Sequence, residues 1–203
     1  ICRSSAYLGR VLQAGIEFAV PDWHLGAMPD FERRIPEGDN RERNVCRDCG
    51  HVAYENPKIV VGSVVAHEGR VLLCRRAIEP RRGYWTLPAG FMENGETLGE
   101  GATRETAEEA GAQVKLIALH AVYDVPEVHQ VHAYFRAELL APTFAPGVES
   151  LEVKLFSEHE TPWDELAFRT VAMALRDYFD DRRAGRHQLH TGVASSTRRG
   201  SGA

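Results

Sequence analysis

The sequence predicts a mixed α and β domain, on three observations. A nearly continuous β-branched run, KIVVGSVVA from Lys58, is followed after HEG by RVLLCRR. A helix is bounded by the cap signals Thr97 and Gly111, and a second apolar pattern at helical spacing runs to about Asp181. Strand-like and helix-like periods within one stretch of chain support a mixed α and β domain and, taken alone, nothing finer.

Before Lys58, residues 30–57 are charged and turn-rich, including RRIPEGDNRER, and read as a small loop-dominated module or linker. KIVVGSVVA and RVLLCRR then form a hairpin. Residues 84–87 make another short strand, and Pro88-Ala89-Gly90 opens a loop. Thr97 can cap the following helix, Glu100 three residues later completes a capping box, and Gly111 suits the left-handed position after its end. Leu98, Ala102, Thr106 and Ala110 fall on one side of that helix, small enough to lie close against a sheet. Residues 114–124 and 128–140 are two longer strands around Pro126, 142–147 a loop and 151–156 a further strand. Thr161-Pro162-Trp163 introduces the second helix, in which Leu166, Val171, Ala174, Leu175 and Phe179 recur at core-facing spacing. Residues 182–203 have no apolar period and are expected to be a disordered tail.

Composition narrows the class. The chain has 203 residues, 43% hydrophobic and 26% charged, enough for one packed domain with appendages. A formal net charge of -5 argues against general nucleic-acid binding, which calls for a basic surplus, so an anionic substrate must be attracted locally. Apolar runs are too short to cross a bilayer. Arg10, Gln13 and Glu17 interrupt the first twenty residues, which makes a poor secretory segment, and a cytoplasmic location is expected. Because the chain begins with Ile1 and offers Met28 as an internal start, residues 1–29 are expected to be a non-native or disordered extension.

The chemistry is concentrated in GFMENGETLGEGATRETAEEAG. Here Gly90, Glu96, Arg104, Glu105, Glu108, Glu109 and Gly111 stand at G-x5-E-x7-R-E-x-x-E-E-x-G. Glutamates at i, i+3 and i+4 share one helix face, where they repel by a few tenths of a kcal/mol per pair unless a cation sits among them. Such a face suits a hard divalent ion held against a pyrophosphate.

This segment resembles the Nudix box of the Nudix hydrolases. Thr106 and Ala112 stand at two positions that are usually bulky and aliphatic, a departure that touches packing. The likeness extends over roughly residues 44–180, where YENPKIVVG, YWTLPAGF and FAPGVESLEVKLF look like the subgroup acting on FAD and ADP-ribose. It implies an α/β/α sandwich over residues 58–181 and hydrolysis of a pyrophosphate bond with Mg²⁺ or Mn²⁺, giving AMP plus FMN or ribose 5-phosphate. It further implies Glu105, Glu108, Glu109 and the Ala89 carbonyl as metal contacts, Arg104 as the group orienting a glutamate, and Glu149 as the base, with Glu152 the alternative. Glu105 could itself take the proton. Candidate substrate contacts are Arg76, Trp85 and Gly90. A small-molecule nucleotide is then the partner, with neither nucleic acid nor membrane involved, and a homodimer is expected because family members often are.

Among the cysteines, Cys46-Arg-Asp-Cys49 has the knuckle spacing of a zinc ribbon, for which relatives carry a second pair upstream; only Cys2 lies upstream here. Structural Zn²⁺ on Cys46 and Cys49 and a vestigial ribbon without metal both stay open. Cys74, within VLLC, reads as a buried thiol. Three other activities stay open as well: an NADH pyrophosphatase, against which the missing S-Q-P-W-P-F-P-x-S signature counts, a nucleotide-pool sanitiser, and a non-catalytic ADP-ribose-binding regulator.

Overall fold

The computed structural model describes residues 8–13, 16–21 and 30–195. The chain divides into two units after Asn56.

In the first unit, β1 (Leu8–Gln13) and β2 (Ile16–Pro21) pair antiparallel. The rest of the expected 1–29 extension lies outside the described residues. β3 (Phe31–Arg34), β4 (Arg43–Cys46) and β5 (Val52–Ala53) form a three-stranded antiparallel sheet. Cys46 ends β4, buried, and Cys49 lies in the turn that follows. That turn closes through Gly50 N–H donating to the Cys46 carbonyl at 2.9 Å, with Gly50 in the left-handed region at φ 72°.

The second unit is a mixed sheet between two helices. β6 (Lys58–His67) and β7 (Arg70–Arg76) are joined by Glu68 and Gly69, both at positive φ, the conformation a two-residue hairpin turn requires. After β8 (Trp85–Thr86), β9 (Ala89–Phe91) and α1 (Leu98–Ala110) come β10 (Val114–Val125), β11 (Gln130–Leu139) and β12 (Ser150–Phe156). α2 (Arg169–Ala184) and β13 (His190–Val193) complete it. The strand order is β12-β7-β6-β11-β10-β13, with β8 beside β7 and β9 beside β6. β11 runs parallel to β6 and β13 parallel to β10; the other pairs are antiparallel.

Period-two alternation puts a different set of side chains on each face of the sheet. Val65, Leu72 and Cys74 pack with Ala110 of α1, and Val61 and Ala133 with Ala102. Val64, Val71, Leu73, Tyr123 and Tyr134 pack with Val171, Leu175 and Phe179 of α2. The result is an α/β/α sandwich. The Cys74 thiol is 1% exposed, and burial pushes its pKa up. No helix among the described residues is long and apolar enough to cross a membrane.

Three elements depart from the sequence reading. Residues 89–91 form a strand rather than a loop, because their backbone pairs with Val60, Val61 and Gly62 of β6. The second helix begins at Arg169 and not near Trp163: Leu166 bridges to Trp85, and Ala167 N–H donates to the Trp85 carbonyl at 2.8 Å, which holds that backbone extended. The expected disordered tail instead continues α2 to Ala184 and adds β13 to the sheet edge. Its pairing is made by backbone groups, with Ala194 N–H reaching the Asp124 carbonyl, and so left no apolar pattern in the sequence. Residues 196–203 lie outside the described ones.

Candidate active site

α1 starts where the cap signals put it. Thr97 Oγ1 accepts from Glu100 N–H at 3.2 Å, and the Glu100 carboxylate accepts from Thr97 N–H at 2.7 Å. Gly111 ends the helix at φ 57°. With both ends fixed, Arg104, Glu105, Glu108 and Glu109 sit at defined positions around the axis.

Arg104 is the hub. Its guanidinium forks onto Glu96, Nε to Oε2 at 3.0 Å and Nη2 to Oε1 at 2.8 Å. Nη1 donates to Glu105 at 2.7 Å and to Glu108 at 3.0 Å, and Nη2 also reaches the Phe91 carbonyl at 3.1 Å. A fork of five donors can serve three carboxylates and a carbonyl where an ammonium cannot. The Glu96 carboxyl falls to about 2, mainly through its bond to Arg104. Glu96 also accepts from Glu93 N–H at 2.6 Å, which fastens the loop before the helix.

Glu105 and Glu109 are buried, whereas Glu108 is exposed. Burial raises the Glu105 carboxyl, and it lifts Glu109 to about 7 against a bond from Ala89 N–H at 3.1 Å. Like charge adds to both: Glu149 raises each of them, and Glu105 raises Glu109. The Arg76 cation acts the other way on Glu109. The backbone of β9 approaches closely, so a Cβ at Gly90 would lie 2.4 Å from the Glu105 carboxylate.

Glu149 is carried on the loop before β12, and that loop is seated on the end of α1. Ala145 N–H donates to the Ala110 carbonyl at 2.9 Å and Gly147 N–H to the Glu109 carbonyl at 3.0 Å. Glu152, by contrast, lies opposite Arg75 and approaches it to 4.0 Å. Arg76 donates from Nε to the Pro80 carbonyl at 2.9 Å and covers the Phe168 ring. Trp85 must be corrected as a substrate contact. It is 7% exposed, edge-on to Phe156 in the α2-side core, and offers no open ring face. Tyr84 and Phe91 are the exposed aromatics nearby, beneath Arg81 and Lys58.

Arg104 ties Glu96, Glu105 and Glu108 together, and Glu149 adds like charge at Glu105 and Glu109, which leaves a surplus of negative charge partly out of water. Hard oxygen donors with unbalanced charge match what Mg²⁺ or Mn²⁺ requires, so the residues present fit a divalent ion. Sequence reasoning missed the Phe91 carbonyl and the Gly147 seat, because neither is signalled by spacing within the box.

Known proteins bear on this geometry. The family model described as NUDIX domain matches residues 56–179, most of the chain. The chain belongs to the Nudix hydrolase family. A second model, described as Nudix N-terminal, the zinc ribbon of this family, matches residues 28–55. A solved NUDIX hydrolase from Nitrosomonas europaea is 51% identical, with a TM-score of 0.79 over 81% of this chain and 94% of that one. An ADP-ribose pyrophosphatase from Methanocaldococcus jannaschii is 30% identical over 119 residues, 57% of this Nudix chain and 69% of the relative. An NAD-capped RNA hydrolase NudC from Pseudomonas aeruginosa is 29% identical over 157 residues, 75% of this chain and 54% of the relative. The chain thus spans about half the length of that NudC. Nudix enzymes generally use divalent metals, in keeping with the carboxylate cluster.

Proposed function

We propose that this Nudix hydrolase splits the pyrophosphate bond of ADP-ribose, and secondarily of FAD, releasing AMP with ribose 5-phosphate or FMN. The observation that carries the chemistry is the acidic face fanned around Arg104, with Glu109 and Glu105 buried beside Ala89 and Gly90. The substrate preference rests on the Methanocaldococcus relative, which the chain matches over most of that protein's length.

Glu105, Glu108, Glu109 and the Ala89 carbonyl would hold Mg²⁺ or Mn²⁺, which when bound neutralises the phosphates and makes an attacking water more acidic. Arg104 Nη1 bonds both Glu105 and Glu108 and so orients the two carboxylates. Glu149 accepts the proton as the water oxygen attacks phosphorus and the bridging P–O bond breaks toward the departing phosphate. Arg76 brings positive charge to the Glu109 side of the cluster, where an anionic substrate needs it. Structural Zn²⁺ in the segment matched by the Nudix N-terminal model, with the Cys46 thiol as a ligand, is part of the proposal; Cys49 is disulfide-bonded and offers no thiolate in that state.

A second reading, hydrolysis of NADH or NAD-capped RNA, is favoured by the NudC relatives. Against it stands the absence of S-Q-P-W-P-F-P-x-S after the box. AMP release from ADP-ribose, FAD and NADH, and release of nicotinamide mononucleotide from NAD-capped RNA, each measured with Mg²⁺ or Mn²⁺, separate the two. ADP-ribose should give the highest kcat/KM. A preference for NADH or the capped RNA would reverse the choice, and tight ADP-ribose binding without turnover of any of the four would make the chain a regulator.

A further inference from the structure

A second group of metal-ligating side chains lies away from the acidic helix, where β10, the end of α2 and β13 meet. His120, Asp181 and His190 each offer one ligand atom, and those atoms all lie within 4.8 Å of one another. His120 and Asp181 are buried, and His190 is half-buried. None of the three takes part in the pyrophosphatase chemistry.

His120 is where it is because β10 is irregular. Leu119 faces Phe135 of β11 and Ala121 faces Tyr134, leaving His120 as the extra residue of a β-bulge. A bulge re-aims a side chain, and here the ring points into the α2 side of the sheet, against Tyr178 and His190. Its Nε2 is 3.0 Å from the Ala174 carbonyl, which fixes the proton on that nitrogen. Nδ1 is then a bare acceptor. It has no hydrogen-bond partner among the described residues, on a residue that is 0% exposed. An unsatisfied buried polar atom costs about 1–3 kcal/mol, so one on a ring that stands beside a carboxylate and a second imidazole calls for an occupant. Burial also lowers the His120 pKa, which keeps the ring neutral and its lone pair available.

We propose that His120, Asp181 and His190 form a second metal site, taking Zn²⁺ or a similar borderline transition-metal ion, that clips β13 and the end of α2 to the sheet. The donor set decides the ion. Two imidazoles and one carboxylate suit Zn²⁺ or Co²⁺, whereas Mg²⁺ prefers all-oxygen surroundings such as the acidic face of α1. The size fits as well. Ligand atoms about 2.0–2.1 Å from a tetrahedral ion stand roughly 3.3 Å apart, a small adjustment from the present arrangement. His190 Nε2 lies 2.9 Å from Asp181 Oδ2, so a metal would displace the proton now shared between them. His187, whose Nδ1 is 3.7 Å from the same oxygen, stands where a fourth ligand could be drawn in. Gln188 N–H, donating to Asp181 at 3.1 Å, supplies the supporting bond that orients a carboxylate ligand.

The test uses the full chain without a histidine tag, freed of metal and then saturated with Mg²⁺, and titrates Co²⁺ while recording the visible spectrum. The unaltered chain should take up Co²⁺ with the visible bands of a tetrahedral nitrogen and oxygen site, separate from any near-ultraviolet thiolate band contributed by the cysteine segment, which substitution of His190 or His120 leaves in place. His190→Ala, on a half-buried edge strand, should lose one equivalent of Co²⁺ and those bands while AMP release with Mg²⁺ is unchanged. His120→Gln should do the same. As a check independent of the substitutions, Zn²⁺ should slow amide hydrogen exchange across 190–193 in the unaltered chain. Co²⁺ uptake and spectra that are identical in all three proteins, or absent from the unaltered chain, would overturn the site, as would exchange in 190–193 that Zn²⁺ does not change.

Discussion

Arg104 shows how much of this site depends on the shape of one side chain. Five contacts leave its guanidinium, to Glu96 twice, Glu105, Glu108 and the Phe91 carbonyl. Its own pKa rises, chiefly through the bond to Glu96, so it is cationic at any working pH. Lysine keeps the charge and loses the fork. Arg104→Lys should therefore leave the fold intact by circular dichroism but free Glu105 and Glu108 to move, and supporting contacts of this kind are typically worth about 10–100-fold in activity or metal affinity. The loss should appear in kcat for AMP release and in the Mg²⁺ concentration needed for half-maximal rate, with a smaller effect on KM for ADP-ribose. An unchanged Mg²⁺ dependence would show that the hub does not organise the ligands.

Among the elements, α1 was legible almost entirely because its determinants are local. Thr97, Glu100 and Gly111 cap a segment whose small side chains at Ala102, Thr106 and Ala110 are buried against the sheet. β9, the extended stretch before α2 and β13 were not legible, since each is held by backbone pairing with a partner remote in sequence. The candidate site divides the same way. Its box carboxylates lie within one short motif, and Arg76 and Glu149 are named from the resemblance, whereas what sets them beside the box is tertiary packing that the sequence does not display; Trp85 misled because an aromatic beside a motif carries no sign of which way its ring faces. Gly147 makes the loop's dependence testable. A Cβ there would fall 1.7 Å from the Glu108 carbonyl oxygen, so Gly147→Ala must push the loop off α1. It should cost about 1–3 kcal/mol in urea unfolding and lower AMP release by more than the change in folded fraction explains, because Glu149 moves with the loop. A variant as active and as stable as the parent would mean that the seat does not matter.

At the scale of the whole molecule, the packed sheet makes the acidic face a liability when no metal is bound. Glu109 sits between α1 and the sheet at 6% exposure, and its carboxyl is lifted to about 7 from the ordinary 4.5, first by burial. Between those values the native chain keeps a proton that the unfolded chain has released, so native stability falls as pH rises through the window. Below about 4.5 both states are protonated and the group contributes nothing; above about 7 the full penalty applies, on the order of 3 kcal/mol for this one carboxyl. Glu105 is shifted the same way, by burial, and steepens the trend. Glu109→Gln removes the titration while keeping an oxygen for the Ala89 N–H, so without metal it should melt above the parent at pH 8 and with it near pH 4.5. Mg²⁺ should act in the opposite sense, raising the parent's Tm more at pH 8 than at pH 6, where protons compete for the same oxygens, and raising that of Glu109→Gln less at both. Parallel Tm-versus-pH curves for the two metal-free proteins would mean that the buried carboxylates do not carry this charge penalty.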